Sequence, residues 1–74
     1  MNMKIKNDIM KLKNEDKINY LEKQSLIDKS RILHLLSAKE RAKIFNNVDQ
    51  KKTILYLSLI SPEEKSKTLY YMNI

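Results

Sequence analysis

Seventy-four residues with no Cys, one His and no Gly exclude a disulfide framework, a zinc site built on paired His or Cys, and a glycine-rich phosphate loop. A core of this size is marginal, so stability must come from apolar packing of regular elements, helped by a partner or by self-association. The formal net charge of +6 favours an anionic partner, whether nucleic acid, a lipid surface or an acidic protein face, and chooses none of them.

The chain divides into units of 12 residues, "MNMKIKNDIMKL", "KNEDKINYLEKQ", "SLIDKSRILHLL", "SAKERAKIFNNV", "DQKKTILYLSLI" and "SPEEKSKTLYYM". Repeats of this kind are sought first, because a missed period misreads the whole fold. The ninth residues are Ile9, Leu21, Leu33, Phe45, Leu57 and Leu69, all large and apolar. The twelfth are Leu12, Gln24, Leu36, Val48, Ile60 and Met72, of which only Gln24 is polar. Two positions three apart share one helix face. Ile5, Ile18, Ala42 and Ile54, at the fifth or sixth position, are expected to extend it.

Units one and two are polar. Lys4, Lys6, Lys11 and Lys13 interrupt the apolar residues, so the N-terminus lacks the unbroken apolar run of a secretory signal. Lys13 is a poor helix cap, and the first two units have the option of merging into one longer helix, with Asn14 as an alternative cap. Units three to six open on Ser25, Ser37, Asp49 and Ser61. Each offers a side-chain oxygen to a free N–H of the first helical turn. Glu40 and Glu64 stand three residues after Ser37 and Ser61, the spacing of a capping box. Pro62 falls at the first helical position, where its missing N–H costs nothing. Each unit therefore predicts a helix of two to two and a half turns. Helices this short need neighbours to persist. The expected fold is all-α, a superhelical array of five or six short helices. It forms a single domain over residues 1–74, with polar units at 1–24 and the best-defined repeats at 25–72.

The stretches "ISPEEKSKTLYYM" and "LSAKERAKIFNNV", and more faintly "LKNEDKINYL", resemble the short-helix pattern of the N-terminal intracellular domain of MgtE-family magnesium transporters. Similar arrays occur in flagellar motor-switch proteins of the FliG type. The resemblance covers about residues 25 to 72 and implies an all-α repeat module of a kind that docks against other protein surfaces. It also implies magnesium sensing as an alternative. The matching carboxylates Glu40, Glu63 and Glu64 have an explanation of their own as charges at helix N-termini.

Because stacked helices alternate in direction, every second unit presents the same face. Lys17, Arg41 and Lys65 align, and Asn19, Lys43 and Lys67 follow two residues later. Their functional reading is a basic ridge for an anionic partner. Their plain reading is a solvated face paired locally through Glu40–Lys43 and Glu63–Lys67. Unit five is apolar nearly all round. It reads as a central core helix, or as one that offers Leu55 and Leu59, with Tyr56, to a partner. Tyr70, Tyr71, Met72 and Ile74 close the last unit with no polar helix after them, whereas terminal repeats ordinarily end on a polar face. They either fold back under unit five or form a docking surface.

His34 has no second His or Cys beside it and reads as structural. Arg is confined to Arg31 and Arg41, and Arg is the usual reader of guanine. Unit four, with Lys39, Arg41 and Lys43, is the nearest approach to a recognition helix. The expected function is a non-enzymatic protein–protein interaction module, with Leu55, Tyr56, Leu59, Tyr70, Tyr71 and Met72 as apolar contacts. Lys17, Arg41, Lys43, Lys65 and Lys67 are the basic contacts. No cofactor is expected, and the partner is another protein or a second copy. A small basic nucleic-acid-binding protein is the alternative, and a magnesium-responsive domain the next. No stretch approaches the ~18 apolar residues of a membrane span, and a cytoplasmic location is the default expectation.

Overall fold

The structure is a computed structural model that describes residues 12–72. It is all-α. The five helices among these residues are α1 (Asn14–Glu22), α2 (Leu26–Leu35), α3 (Ala38–Phe45), α4 (Gln50–Ser58) and α5 (Pro62–Met72). Each begins 12 residues after the one before. The expectations for Ile5, Ile9 and Ile74 lie outside the described residues. Lys13 is extended at φ −67° and ψ 158° and bears no side-chain cap bond, so α1 starts at Asn14 and units one and two are not one continuous helix.

Caps set the starts. Ser25 Oγ accepts from the Asp28 N–H, Ser37 Oγ from Glu40, Asp49 Oδ1 from Lys52 and Ser61 Oγ from Glu64. Ser37 and Glu40 form the complete box, with the Ser37 N–H donating to Glu40 Oε1 at 2.8 Å. The ends are made without glycine. Lys23, Asn46 and Leu59 remain right-handed at the C-caps. The last turns tighten, through Gln24 N to Leu21 O at 3.1 Å, Asn47 N to Ile44 O at 3.0 Å and Leu59 N to Tyr56 O at 3.1 Å. A tightened turn satisfies terminal carbonyls without the left-handed residue that glycine usually supplies. The next cap is then extended, and the chain reverses. Replacing Ser37 by Ala should cost about 1 kcal/mol, read as a fall of about 4–8 °C in melting temperature; an unchanged melt would show that the cap carries no stability.

The helices pack in two rows. α1, α3 and α5 lie side by side, as do α2 and α4, and α1 with α2 and α3 with α4 join the rows. One core runs through both. It contains Leu21, Leu33, Phe45 and Leu57 from the ninth positions and Leu36, Ile60 and Met72 from the twelfth. Ile32, Ile44 and Tyr56 add the eighth position, and Ala42 the sixth. Phe45 and Tyr56 meet at a centroid distance of 5.8 Å. Ile18 packs half-buried against this core, whereas Ile54 is exposed. α4 is therefore not the central helix. That place belongs to α3, which contacts α1, α4 and α5.

Candidate functional site

The expected basic ridge is interrupted at its centre. Arg41 is 0% exposed. Its Nε donates to Thr68 Oγ1 at 2.9 Å, one terminal nitrogen donates to the Leu33 and Leu36 carbonyls at 2.7 and 2.9 Å, and the other pairs with Glu64 Oε1. The Leu33 and Leu36 carbonyls belong to the end of α2, where the helix dipole is negative and the intrahelical donors have run out. A planar guanidinium with five donors serves both carbonyls and the carboxylate together. Arg41 thus ties α2 and α5 to α3, and it is unavailable to a partner.

Glu64 is drawn away from its expected role. It stands where a capping box would turn it back to the Ser61 N–H. Its carboxylate instead accepts from Arg41, and that hydrogen bond, ahead of the Lys67 charge, holds its pKa below the ordinary glutamate value. The Ser61 N–H then donates to His34 Nε2 at 3.3 Å, while His34 Nδ1 meets the Ser30 carbonyl at 2.8 Å. This pattern puts the imidazole proton on Nδ1. His34 fastens α2 to the start of α5, next to Ser30, whose hydroxyl donates to the Leu59 carbonyl at 2.7 Å.

The remaining basic residues are scattered. Lys17 is half-buried, while Lys43, Lys65 and Lys67 are exposed. Lys67 stands 3.7 Å from Glu63 and 3.5 Å from Glu64, as the local-pairing reading expects. Glu40 forms no ion pair with Lys43 among the described residues, because its Oε1 is held by the cap. Its Oε2 is buried without a partner.

The apolar set divides as well. Tyr56 is buried, and burial pushes its phenol above the usual tyrosine range. Met72, the last residue of α5, is buried and Leu59 is half-buried. These three do not form a surface. Leu55, Leu69, Tyr70 and Tyr71 are exposed, with Tyr70 at 80%. The two tyrosine rings meet edge to face at 5.3 Å and 88°. They form one wall of an open groove of about 680 Å³, whose other walls include Ala38 and Lys39 at the start of α3, with Glu64 and Lys67.

Leu26 and Ile27 on α2 are also exposed and were not singled out from the sequence. The available signal was their position. They occupy the second and third places of their unit, where the other described units carry Asn14, Glu15, Ala38, Lys39, Gln50, Lys51, Pro62 and Glu63.

Among the described residues no three His, Cys, Asp or Glu side chains gather to hold a metal ion, and no helix is long and apolar enough to cross a membrane. The chain matches no family model, no curated protein and no solved structure.

Proposed function

We propose that this protein is a non-enzymatic helical-repeat module that binds another protein through the groove beside α5. The observation that carries the reading is the aromatic wall of Tyr70 and Tyr71 left outside the core, in a groove also lined by Ala38 and Lys39 at the start of α3. Tyrosine supplies large contact area at low entropic cost, and it is enriched where proteins meet. Lys39 and Lys67 at the rim, and a net charge of +6, favour an apolar segment carrying acidic residues, with the charges steering encounter more than adding affinity. Nucleic acid is the weaker reading. Burial of Arg41 and pairing of Lys67 with two glutamates leave fewer free cations for phosphate.

The test is a pull-down in which the wild-type chain and Tyr70→Ser/Tyr71→Ser are compared, each with and without nuclease. Both side chains are exposed, so the double variant should melt within a few degrees of wild type. A discrete protein held by the wild-type chain in both halves and lost from the variant supports the reading. A captured protein that the variant holds equally well, or material released by nuclease, sinks it.

A further inference from the structure

The seam between α2 and α4 is fixed by three contacts. Glu22, at the end of α1, meets Lys52 at 2.8 Å. Ser30 Oγ donates to the Leu59 carbonyl at 2.7 Å, and the Ser61 N–H donates to His34 Nε2 at 3.3 Å. The residue numbers rise together on the two sides of the seam, so α2 and α4 run parallel. Leu26 and Ile27 stand one turn before Ser30 on its face of α2, and Leu55 stands one turn before Leu59 on α4. One step back along both helices therefore brings these three side chains abreast. They are 56%, 67% and 39% exposed, and none belongs to the core. Apolar side chains exposed singly need no explanation, but a contiguous group of them does.

The free charges beside this group are cationic. Lys23 lies in the turn that leads into α2, three residues before Leu26, and Lys51 lies one turn before Leu55. Both are exposed, and neither forms an ion pair among the described residues. The nearby carboxylates are engaged. Glu22 holds Lys52, Asp28 stands 3.8 Å from Arg31, and Asp49 caps α4. We infer that this seam docks on the surface of an anionic lipid bilayer, with Leu26, Ile27 and Leu55 entering the headgroup region and Lys23 and Lys51 meeting lipid phosphates. Charge complementarity selects an anionic surface. The kind of apolar residue selects a bilayer over a protein. Protein hot spots are built on Trp, Tyr and Arg seated in pockets, with Leu under-represented, whereas this seam offers protruding aliphatic side chains and lysines. A bilayer interface takes branched side chains without a matching pocket, and lysine reaches phosphate while its stem lies along apolar surface. Three apolar side chains and two lysines make a weak, reversible contact. The tyrosine groove lies on α3 and α5, so this inference stands or falls apart from it.

Co-sedimentation of the full chain with vesicles tests this, comparing mixed phosphatidylglycerol and phosphatidylcholine with phosphatidylcholine alone. Wild type should bind the anionic vesicles, less so as salt is raised, and should leave the zwitterionic ones in suspension without it. Leu26→Ser/Ile27→Ser keeps the net charge and should weaken binding about tenfold or more. Lys51→Glu and Lys65→Glu change the net charge equally. The first should weaken binding about tenfold and the second much less, because Lys65 lies on α5. Thermal melts confirm that each variant folds. A wild-type chain that ignores anionic vesicles at low salt overturns the inference. So does binding that Leu26→Ser/Ile27→Ser retains in full, or that Lys51→Glu and Lys65→Glu weaken alike, since either result assigns it to charge spread over the whole chain. Self-association that Leu26→Ser/Ile27→Ser abolishes, with no vesicle binding, gives the seam to a second copy and overturns it as well. Tyr70→Ser/Tyr71→Ser should bind vesicles as wild type does, which separates this result from the fate of the groove.

Discussion

Arg41→Ala should leave little folded protein at room temperature. The substitution strands the Leu33 and Leu36 carbonyls, removes the donor to Thr68 and leaves Glu64 without its main partner. It also empties the volume of a side chain that is fully buried. Breaking a buried charged network at one member costs about 3–5 kcal/mol, and a domain this small has a total of about 5 kcal/mol to lose. Arg41→Lys keeps the charge and loses the planar fork, so it should fall between the two, with a lower urea midpoint and a cooperative transition. Urea denaturation followed by circular dichroism reads both. A midpoint for Arg41→Ala close to wild type would show that the network is decoration.

The same network sets a pH dependence. Glu64 has its folded pKa lowered from 4.5, first by the Arg41 hydrogen bond. The sign follows from linkage. A carboxyl with a depressed folded pKa contributes stability that is present above the unfolded value and is lost as pH falls through the folded value. The wild-type melting temperature should therefore decline on acidification below 4.5, and Glu64→Gln should decline less over that window. Glu64 is partly exposed, so this effect is small beside the loss of Arg41.

Phe45→Ala and Leu69→Ala remove side chains from the same repeat position and should differ several-fold in cost. Phe45 lies between α3 and its neighbours and touches Tyr56. Its truncation leaves a cavity and should cost about 3–5 kcal/mol. Leu69 is 37% exposed on α5, and its truncation should cost about 1 kcal/mol or less. The two melts, measured side by side, decide whether repeat position or tertiary surroundings governs stability. Equal losses would mean that the α5 face is covered in solution by something that packs as well as the interior does.

Much of the secondary structure was written in the sequence alone. Ser25, Ser37, Asp49 and Ser61 start helices because a short polar oxygen at a cap satisfies a local N–H, and no distant residue is needed. The absence of Gly and the 12-residue spacing predicted short helices in close succession, and the ninth and twelfth residues supplied most of the core. These are local and periodic properties, and a linear reading captures them. What tertiary structure decided is which of several equivalent residues is buried. Lys17, Arg41 and Lys65 share one repeat position, yet only Arg41 is enclosed, because the Leu33 and Leu36 carbonyls, Thr68 and Glu64 converge on its guanidinium. Ser37–Glu40 and Ser61–Glu64 have the same spacing. The first closes its box, and the second opens it because Arg41 takes the Glu64 carboxylate and His34 takes the Ser61 N–H. Tyr56 and Tyr70 are both tyrosines in apolar runs, one in the core and one in water. Repetition makes such residues alike in sequence, and only the tertiary neighbours that each one meets make them differ in burial and in chemistry.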